Sequence, residues 1–338
     1  MRISVIGAGS WGTAVTWMLG NKGHEVRLWS REAEIADGIN AEHRNPVYLP
    51  DVVIPDGVFA SPDMDEALAG AQAVVMVTPS VGVRETAESM KPHLASETPV
   101  VILSKGVEGG TNLLMTEVLE DVLGGRERIA GLSGPNHAEE VSRGVPSATV
   151  VAAYNEGVGD LFQDIFMTRF FRVYTNPDVV GVELAGASKN IVAIAAGMSD
   201  GMGYGDNTKA TLMTRGLAEM SRLGHSVGAN PLTYMGLAGM GDLIATCTSR
   251  HSRNRNLGEL IARGGTMQEF YDKTHMVAEG AVSCVTVAQL GLREGVDLPI
   301  TEGVRSVLYD GIDPLKVGEL LMGREARDEF HGMGFAND

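Results

Sequence analysis

Short apolar runs alternate with segments of helical period through the first half of the chain. The runs that predict strands are residues 3–6, 25–29, 73–77, 100–103, 129–132, 147–153 and 171–174, with β-like pieces also at 51–55 and 57–60. The helices predicted between them include residues 63–69, 82–94, 111–123 and 156–168. This alternation is typical of a mostly parallel, doubly wound sheet with helices on both faces.

A glycine-rich turn follows the first strand and opens the first helix. Gly7, Gly9 and Gly12 have the G-x-G-x-x-G spacing, with Ser10 and Trp11 between the second and third glycines. Gly7 permits the tight turn, Gly9 lets backbone approach a pyrophosphate, and Gly12 lets the helix pack on the strand. The free N–H groups and positive dipole of the helix start suit phosphate. The turn therefore predicts a dinucleotide site.

The strand pattern stops after Asn176-Pro177. Residues 178–225 and 256–331 show helical periodicity and no convincing strand run. The predicted fold class is α/β, with an N-terminal Rossmann-type doubly wound sheet followed by an all-α C-terminal domain. We expect a dinucleotide-binding domain over residues 1–178 and a helical substrate and catalytic domain over residues 179–338.

The end of the second strand bears on the choice of cofactor. An NAD-selective fold usually has Asp or Glu there to bind the ribose 2′-hydroxyl, whereas this chain has Ser30-Arg31. Arginine suits a 2′-phosphate, which favours NADP over NAD. The alternative is that Arg31 is simply solvated in the first turn of the next helix.

Lys189 lies in a long apolar segment that predicts a helix. Its same-face neighbours include Ala185, Gly186, Ala193 and Ala196, which are small enough for other backbone to come close. A lysine enclosed in this way is costly unless it is paired, and such lysines often take part in chemistry. The alternative is a lysine at a helix–helix seam whose ammonium reaches water.

A glycine-rich stretch before residue 243 contains a possible partner. Asp242 precedes an apolar run, so it is either the N-cap of a helix that starts at Leu243 or a carboxylate directed at a buried cation, or both. Arg250, Arg253 and Arg255 follow, interleaved with Ser and Asn, as expected of a phosphate site or of a solvated basic face.

Polar residues also follow two of the predicted sheet strands. Lys105 comes just after residues 100–103, and Gly134 and Asn136 come just after residues 129–132. Ligands of open α/β sheets bind at the carboxyl ends of strands, so Lys105 faces either a ligand or solvent.

The composition limits the classes of molecule that the protein is expected to bind. A formal net charge of −16 argues against nucleic acid and against stable association with an anionic membrane. The two cysteines show no metal-ligand spacing, so we expect no metal, no covalent mechanism and a reducing cytoplasmic location. We expect neither a signal peptide nor an apolar run of the ~18 residues that a membrane span needs.

Together these motifs closely resemble the bacterial NAD(P)-dependent glycerol-3-phosphate dehydrogenases over nearly the whole chain. The resemblance rests on GAGSWGTA, YLP (48–50), LSKGVE (103–108), SGPNHAEEV (133–141), the segment 181–207, TRGLAEMSRLG (214–224), GLAGMGDLIATCTS (236–249), HSRNR (251–255) and VAEG (277–280). Two departures are Asn136, where Ser or Thr is commoner in the family, and ASKN around Lys189 in place of ALKN.

The resemblance implies a role for each matching position. The catalytic set would be Lys189, Lys105 and Asp242. Substrate would be bound by Lys105, Gly134, Asn136, Lys189, Asn190, Asp242, Thr246, Ser252, Arg253 and Asn254. Cofactor would be bound by Gly7, Gly9, Ser10, Trp11, Gly12, Arg31, Tyr48, Lys105, Ala138, Arg253, Val277 and Glu279.

The implied reaction is hydride transfer between NADPH or NADH and dihydroxyacetone phosphate, giving sn-glycerol 3-phosphate for phospholipid synthesis. The partner is then a phosphorylated small molecule, and a homodimer is possible by resemblance. Two alternatives are a dehydrogenase of similar build that acts on a hydroxy acid, and a dinucleotide sensor without activity.

Overall fold

The sheet predicted for the first half of the chain is present in the computed structural model, which describes residues 1–274, 277–329 and 331. The strands are β1 (Arg2–Ile6), β2 (Glu25–Trp29), β3 (Val58–Ser61), β4 (Ala73–Met76), β5 (Val100–Ile102), β6 (Ile129–Ser133), β7 (Ser147–Ala153) and β8 (Phe171–Asn176). Their order is β3-β2-β1-β4-β5-β6-β7-β8, and every pair is parallel except β6 and β7. This confirms the predicted fold class.

The centre of the sheet is buried on both faces. Val5 and Ile6 are adjacent in β1 and point to opposite sides, so they belong to two separate apolar clusters, one on each face. The chain runs outward from β1 to β3 and then returns to start β4 on the other side of β1. The carboxyl ends of β1 and β4 therefore form the switch point at which ligands bind in such sheets.

Helices cover the sheet and make up the rest of the chain that the structure describes. They are α1 (Ser10–Asn21), α2 (Ala33–Glu42), α3 (Met64–Leu68), α4 (Val83–Met90), α5 (Met115–Leu123), α6 (Ala138–Val141), α7 (Glu156–Phe166), α8 (Val179–Gly201), α9 (Asp206–Ser226), α10 (Asp242–Thr248), α11 (Arg253–Ala262), α12 (Met267–Thr274), α13 (Glu279–Glu294), α14 (Pro299–Asp310) and α15 (Pro314–Met322). Short 3₁₀ segments cover residues 80–82, 91–93, 126–128 and 231–235, and residues 237–241 form one turn of π-helix.

Two local predictions were wrong for identifiable reasons. Residues 51–55 do not form a strand, because the run lies between Pro50 and Pro55, which cannot donate to a β-ladder. The helix expected from residue 111 begins only at Met115, because Asn112 has a left-handed backbone (φ 60°). Glu117 then accepts a hydrogen bond from the N–H of Leu114 at the start of this helix.

Helix α8 corrects the expectation that no segment is long and apolar enough to cross a membrane. Its 23 residues meet that test by length and composition, but 89% of the apolar window is buried inside the protein. A helix that is apolar all round is equally suited to the core of a globular protein. The burial of α8 therefore accounts for its composition.

The described residues fall into two compact units. The first comprises Met1–Lys105 and Leu113–Val179, and the second comprises Gly106–Asn112 and the described residues from Val180 onward. The segment Gly106–Asn112 thus groups with the helical unit although it follows a strand of the sheet, which a single boundary in the sequence does not anticipate.

Ser188 in α8 leads to a test of packing. Its side chain is 3% exposed, and its hydroxyl has no hydrogen-bond partner in the part of the chain that the structure describes. We expect Ser188→Ala to stabilise the protein by about 1 kcal/mol, because it removes an unsatisfied buried polar group and improves helix propensity. Denaturant unfolding measures the change.

The matched control is Ser226→Ala, which removes a hydroxyl that donates to the carbonyl of Leu223 at 2.8 Å. That variant should be less stable than the parent protein. A Ser188→Ala protein that unfolds more easily than the parent would contradict the expectation.

Candidate active site

The three glycines after β1 have different surroundings. Gly7 has a left-handed backbone (φ 116°), and a Cβ there would lie 2.9 Å from the carbonyl oxygen of Val77. A Cβ on Gly12 would lie 1.9 Å from the carbonyl oxygen of Gly7, whereas one on Gly9 would meet nothing within 4 Å. Two glycines are thus required by packing, and the third leaves open space beside the start of α1. That arrangement fits a bound pyrophosphate.

The first turn of α1 has N–H groups that no side chain caps. Gly9 is the N-cap and has no side chain to accept from them. Trp11, in the same turn, packs against the ring of Phe171 with centroids 6.4 Å apart. The ring contact holds this turn against the sheet, and its N–H groups remain suited to an anionic ligand.

The end of β2 carries a basic and an acidic side chain that pair with each other. Arg31 is 82% exposed and donates to Oε1 of Glu32 at 3.1 Å. Ser30 is fully buried, and its hydroxyl donates to the backbone oxygen of Glu32. Position 30 therefore offers no acidic acceptor for a ribose hydroxyl, and the guanidinium of Arg31 is accessible but shared with Glu32.

The ends of β5 and β6 bring two predicted residues together. The ammonium of Lys105 donates to the carbonyl oxygen of Gly134 at 3.2 Å. Gly134 cannot carry a side chain, because a Cβ there would lie 2.9 Å from Cα of Thr149. The lysine is consequently held beside the turn that follows β6.

Thr149 is a residue that motif reasoning missed. It is fully buried, and its hydroxyl donates to the carbonyl oxygen of Ser133 at 2.9 Å and accepts from Nδ2 of Asn136 at 3.1 Å. Because a hydroxyl has one proton, Thr149 can only accept from Asn136. The amide is thereby oriented, and its Oδ1 has no partner in the described structure. No sequence motif marks Thr149, since its partner lies 13 residues earlier in the chain.

Lys189 is buried and paired in the second unit. It is 6% exposed, and its ammonium donates to Oδ1 of Asp242 and to the hydroxyl of Thr246, both at 2.7 Å. Asp242 is itself 3% exposed, and its Oδ1 lies 3.1 Å from the hydroxyl of Thr246. The carboxylate offsets much of the cost of burying the ammonium. The expectation of a buried, paired lysine is confirmed.

The N-cap interpretation of Asp242 was wrong. Asp242 is the first residue of α10 with helical backbone angles, and the preceding residues Leu237–Gly241 already form a π-helical turn. Gly239 in this turn lies against Tyr234, where a Cβ would be 2.1 Å from the carbonyl oxygen. The chain thus enters α10 without a side-chain cap, and the carboxylate is available to Lys189.

Three helices meet at a pair of asparagines. Nδ2 of Asn254 in α11 donates to Oδ1 of Asn190 in α8 at 3.0 Å, and Oδ1 of Asn254 accepts from the N–H of Gly280 in α13 at 2.8 Å. The helices α8 and α11 come close at glycines, since a Cβ on Gly197 would lie 1.9 Å from the carbonyl oxygen of Arg255. Among the described residues, Asn254 therefore uses only one of its two amide hydrogens, and Asn190 is held next to Lys189.

The structure separates the three arginines near the start of α11. Arg255 is bound to Asp200 at 2.6 Å and to Glu259 at 3.2 Å. Arg253 is exposed, is the first residue of the helix, and forms no ion pair among the described residues. Arg253 is thus an accessible guanidinium beside Asn254, whereas Arg255 holds helices together.

Other predicted residues occupy helix starts in the two units. Ser252 is buried and caps α11 by accepting from the N–H of Arg255. The remaining positions are Ser10 at the start of α1, Ala138 at the start of α6, Glu279 at the start of α13, Val277 just before it, and Tyr48, half-buried against the core of the sheet unit.

The two thiols are unsuited to covalent chemistry. Cys247 lies on α10 near Lys189, and burial raises the pKa of its thiol to about 12. Burial likewise raises the pKa of Cys284 to about 12. Both therefore remain protonated at neutral pH and poorly nucleophilic. Within the described residues, no three His, Cys, Asp or Glu side chains are grouped to hold a metal ion.

The second unit thus contains a buried ammonium held by a carboxylate and a hydroxyl, with amides and an accessible arginine in the same unit. The first unit contains a glycine-rich turn whose N–H groups are not capped by a side chain, and a lysine just after a strand. A buried ammonium of this kind can stabilise negative charge that develops on a carbonyl oxygen and can protonate it.

Comparisons with known proteins identify the family of the chain. The family model for the N-terminus of NAD-dependent glycerol-3-phosphate dehydrogenase matches residues 2–158, and the model for its C-terminus matches residues 178–319. A curated glycerol-3-phosphate dehydrogenase (NAD(P)+) of Streptomyces griseus is 49% identical, with 97% of this chain and 98% of that protein covered. One from Shouchella clausii is 45% identical, with 98% of each covered.

A solved structure gives the same result. The crystal structure of a glycerol-3-phosphate dehydrogenase from Coxiella burnetii superposes with a TM-score of 0.91 at 37% identity, with 96% of this chain and 99% of that chain covered. The two family models together match most of the chain, and both relatives exceed 40% identity over nearly its full length. The chain therefore belongs to the NAD-dependent glycerol-3-phosphate dehydrogenase family.

Proposed function

We propose that the protein is an NAD(P)-dependent oxidoreductase that interconverts dihydroxyacetone phosphate and sn-glycerol 3-phosphate. The observation that carries this proposal is the buried contact of Lys189 with Asp242 and Thr246 in a chain of this family. A paired, desolvated ammonium can stabilise the negative charge that develops on a carbonyl oxygen during reduction and can protonate it.

The cofactor is NADP by preference, with NAD accepted. The turn over Gly7, Gly9 and Gly12 would bind the pyrophosphate, together with Ser10 and Trp11, and Arg31 would bind a ribose 2′-phosphate. Contacts from Tyr48, Lys105, Ala138, Arg253, Val277 and Glu279 complete the proposed cofactor site. When bound, the reduced nicotinamide supplies the hydride that reaches C2 of the substrate.

Lys189 acts as the acid in the reductive direction. As C2 accepts the hydride, its carbonyl oxygen gains negative charge, and the ammonium of Lys189 stabilises that charge and donates a proton to form the alcohol. The neutral amine then recovers a proton from solvent. In the oxidative direction the amine removes the hydroxyl proton. Asp242 and Thr246 hold Nζ in position throughout.

Substrate binding away from the reacting carbon sets the geometry. Arg253, with Ser252 and Asn254 beside it, binds the phosphate, because an accessible guanidinium can bind two of its oxygens. Lys105 and the turn at Gly134 orient the carbonyl. Asn136 accepts from a substrate hydroxyl through its unpartnered Oδ1, and Asn190 lines the site beside Lys189. Such remote contacts contribute to catalysis by positioning the reacting atoms.

The proposal also implies a substrate class, a cellular location and an oligomeric state for the enzyme. A phosphorylated small molecule is its partner, drawn to a few cations in a chain whose net charge is −16. Its product would serve phospholipid synthesis in the cytoplasm. The negative charge disfavours nucleic acid and stable membrane association, and the family resemblance favours a homodimer.

A hydroxy-acid dehydrogenase is the second candidate within the same fold. Such an enzyme needs a site for a carboxylate, whereas Arg253 with neighbouring serine and asparagine side chains suits a dianionic phosphate better. A dinucleotide sensor without activity would have no need for a buried lysine held by a carboxylate and a hydroxyl. Both alternatives are therefore less well supported than the phosphorylated ketone.

The direct test is the loss of absorbance at 340 nm with dihydroxyacetone phosphate, run in parallel with NADPH and NADH. We expect turnover with both cofactors and higher kcat/KM with NADPH. Non-phosphorylated 2-keto acids serve as the comparison. Turnover with a keto acid alone would replace the proposal with the hydroxy-acid reaction, and cofactor binding without any turnover would favour the sensor.

Replacing Lys189 tests its role as the acid. We expect Lys189→Met to lower kcat by at least ~10²-fold, because general acid catalysis contributes about that much, while NADPH still binds. The double variant Lys189→Met/Asp242→Asn removes the carboxylate that the single change leaves unpaired. It separates lost turnover from lost stability.

The matched control is Lys209→Met in α9, which breaks another lysine–aspartate pair of the same unit, to Asp200 at 2.6 Å. That variant should keep kcat within a factor of a few. Near-normal turnover in Lys189→Met would show that Lys189 is not the general acid.

Replacing Arg31 tests the cofactor preference. We expect Arg31→Ala to lower kcat/KM with NADPH about tenfold or more and to leave the value with NADH nearly unchanged, because only NADPH carries the 2′-phosphate. Glu32→Gln frees Arg31 from its ion pair and should shift the ratio toward NADPH. An equal loss of kcat/KM with both cofactors would show that Arg31 does not bind the 2′-phosphate.

A further inference from the structure

Asn45 lies just after α2 in the sheet unit and is fully buried. Its Nδ2 donates to the carbonyl oxygen of Ala8 and to the hydroxyl of Thr13, both at 2.8 Å. Its Oδ1 accepts from the N–H of Val47 at 3.0 Å and from the N–H of Tyr48 at 2.9 Å. All four hydrogen-bonding positions of the amide are therefore used.

This pattern requires asparagine. The side chain must be short, with two N–H donors at one end of its polar group and, at the other, an oxygen that accepts two hydrogen bonds. Aspartate could accept from Val47 and Tyr48 but would place an oxygen against the carbonyl of Ala8. A shorter or apolar side chain would leave several buried backbone groups unpaired, which costs stability.

The contact with Ala8 sets the direction of the next N–H. A trans peptide is planar, so the carbonyl of Ala8 and the N–H of Gly9 point in opposite directions. Asn45 holds that carbonyl oxygen on the buried side, and the hydroxyl of Thr13 also lies 3.4 Å from it. The N–H of Gly9 is thereby directed away from Asn45, on the residue where a Cβ would meet nothing within 4 Å.

The other side of the amide positions the segment that carries Tyr48. Two consecutive N–H groups bind Oδ1, which forms a tight turn from Asn45 to Tyr48. The next residue, Leu49, has a left-handed backbone (φ 54°), which is unfavourable for leucine and needs support from its surroundings. One buried amide thus connects the glycine-rich turn with the segment over residues 46–49.

We propose that Asn45 is a positioning residue for the dinucleotide. It directs the N–H of Gly9 toward the pyrophosphate and sets Tyr48 for its cofactor contact, without touching the cofactor itself. The inference rests on the proposed function, because it takes the Gly7–Gly12 turn as the phosphate-binding loop.

The test compares Asn45→Asp with the parent enzyme by NADPH fluorescence, with no second substrate present. The substitution keeps the acceptor for Val47 and Tyr48 but removes both donors to the glycine-rich turn. We expect the Kd for NADPH to rise about tenfold or more, because a directed hydrogen bond is replaced by two facing acceptors. At saturating NADPH, kcat should change by less than threefold.

The matched control is Asn40→Asp in α2. Asn40 makes the same kind of two-sided contact, donating to the carbonyl of Ala60 at 2.7 Å and accepting from its N–H at 2.8 Å. It lies in the same unit but does not contact the glycine-rich turn. We expect a lower Tm in both variants and a raised Kd only in Asn45→Asp.

A second variant, Thr13→Val, keeps charge and shape and removes one acceptor of the Asn45 amide. We expect its Kd for NADPH to rise about threefold, a smaller change because the contact with Ala8 remains. This variant decides the question if Asn45→Asp does not fold.

An unchanged Kd for NADPH in Asn45→Asp would overturn the inference, and so would an equal rise in Asn40→Asp. If Asn45→Asp does not fold, an unchanged Kd in Thr13→Val would overturn it. Failure of the parent protein to bind NADPH would instead overturn the proposed function on which the inference rests.

Discussion

The arrangement of the helical unit depends on one interaction, the pairing of the buried ammonium of Lys189 with the carboxylate of Asp242. An isolated charge at 6% exposure would be strongly destabilising, and the carboxylate of Asp242 at 2.7 Å makes the arrangement possible. Removing one partner of such a pair commonly costs about 3–5 kcal/mol, because the other charge is then left unpaired. Helix α8, the π-helical turn before α10 and Thr246 must therefore all be in place for this lysine to keep its partners.

Glycine permits the close approach of backbone that this arrangement requires. In the helical unit, Gly197 and Gly258 let α8 and α11 approach until a single methyl group would collide with a carbonyl oxygen. In the sheet unit, Gly7 and Gly12 do the same between β1, α1 and the end of β4. The side chains proposed to act in each unit therefore lie on elements whose packing tolerates almost no added volume.

Buried amides and hydroxyls then orient the groups that are proposed to bind ligands. Asn254 connects Asn190 with the start of α13, and Thr149 determines which end of the Asn136 amide stays available. Each of these side chains is held by at least one short hydrogen bond to the protein, which defines its orientation. In contrast, the hydroxyl of Ser188, next to Lys189 in the sequence, has no partner among the described residues, and no contact there explains it.

The local pattern of the sequence was sufficient for most of the strands, the glycine-rich turn and the enclosed lysine, because the residues that indicate each of them lie within a few positions of one another. It could not assign Asp242, since a cap and a buried counter-ion look alike until α8 lies against α10 across 53 positions of sequence. Arg253 and Arg255 were likewise equivalent by spacing; the family resemblance selected Arg253, and the ion pairs of Arg255 with Asp200 and Glu259 give the physical reason. Thr149 and Asn45 act through partners brought close by folding, so their roles were decided by the tertiary structure alone.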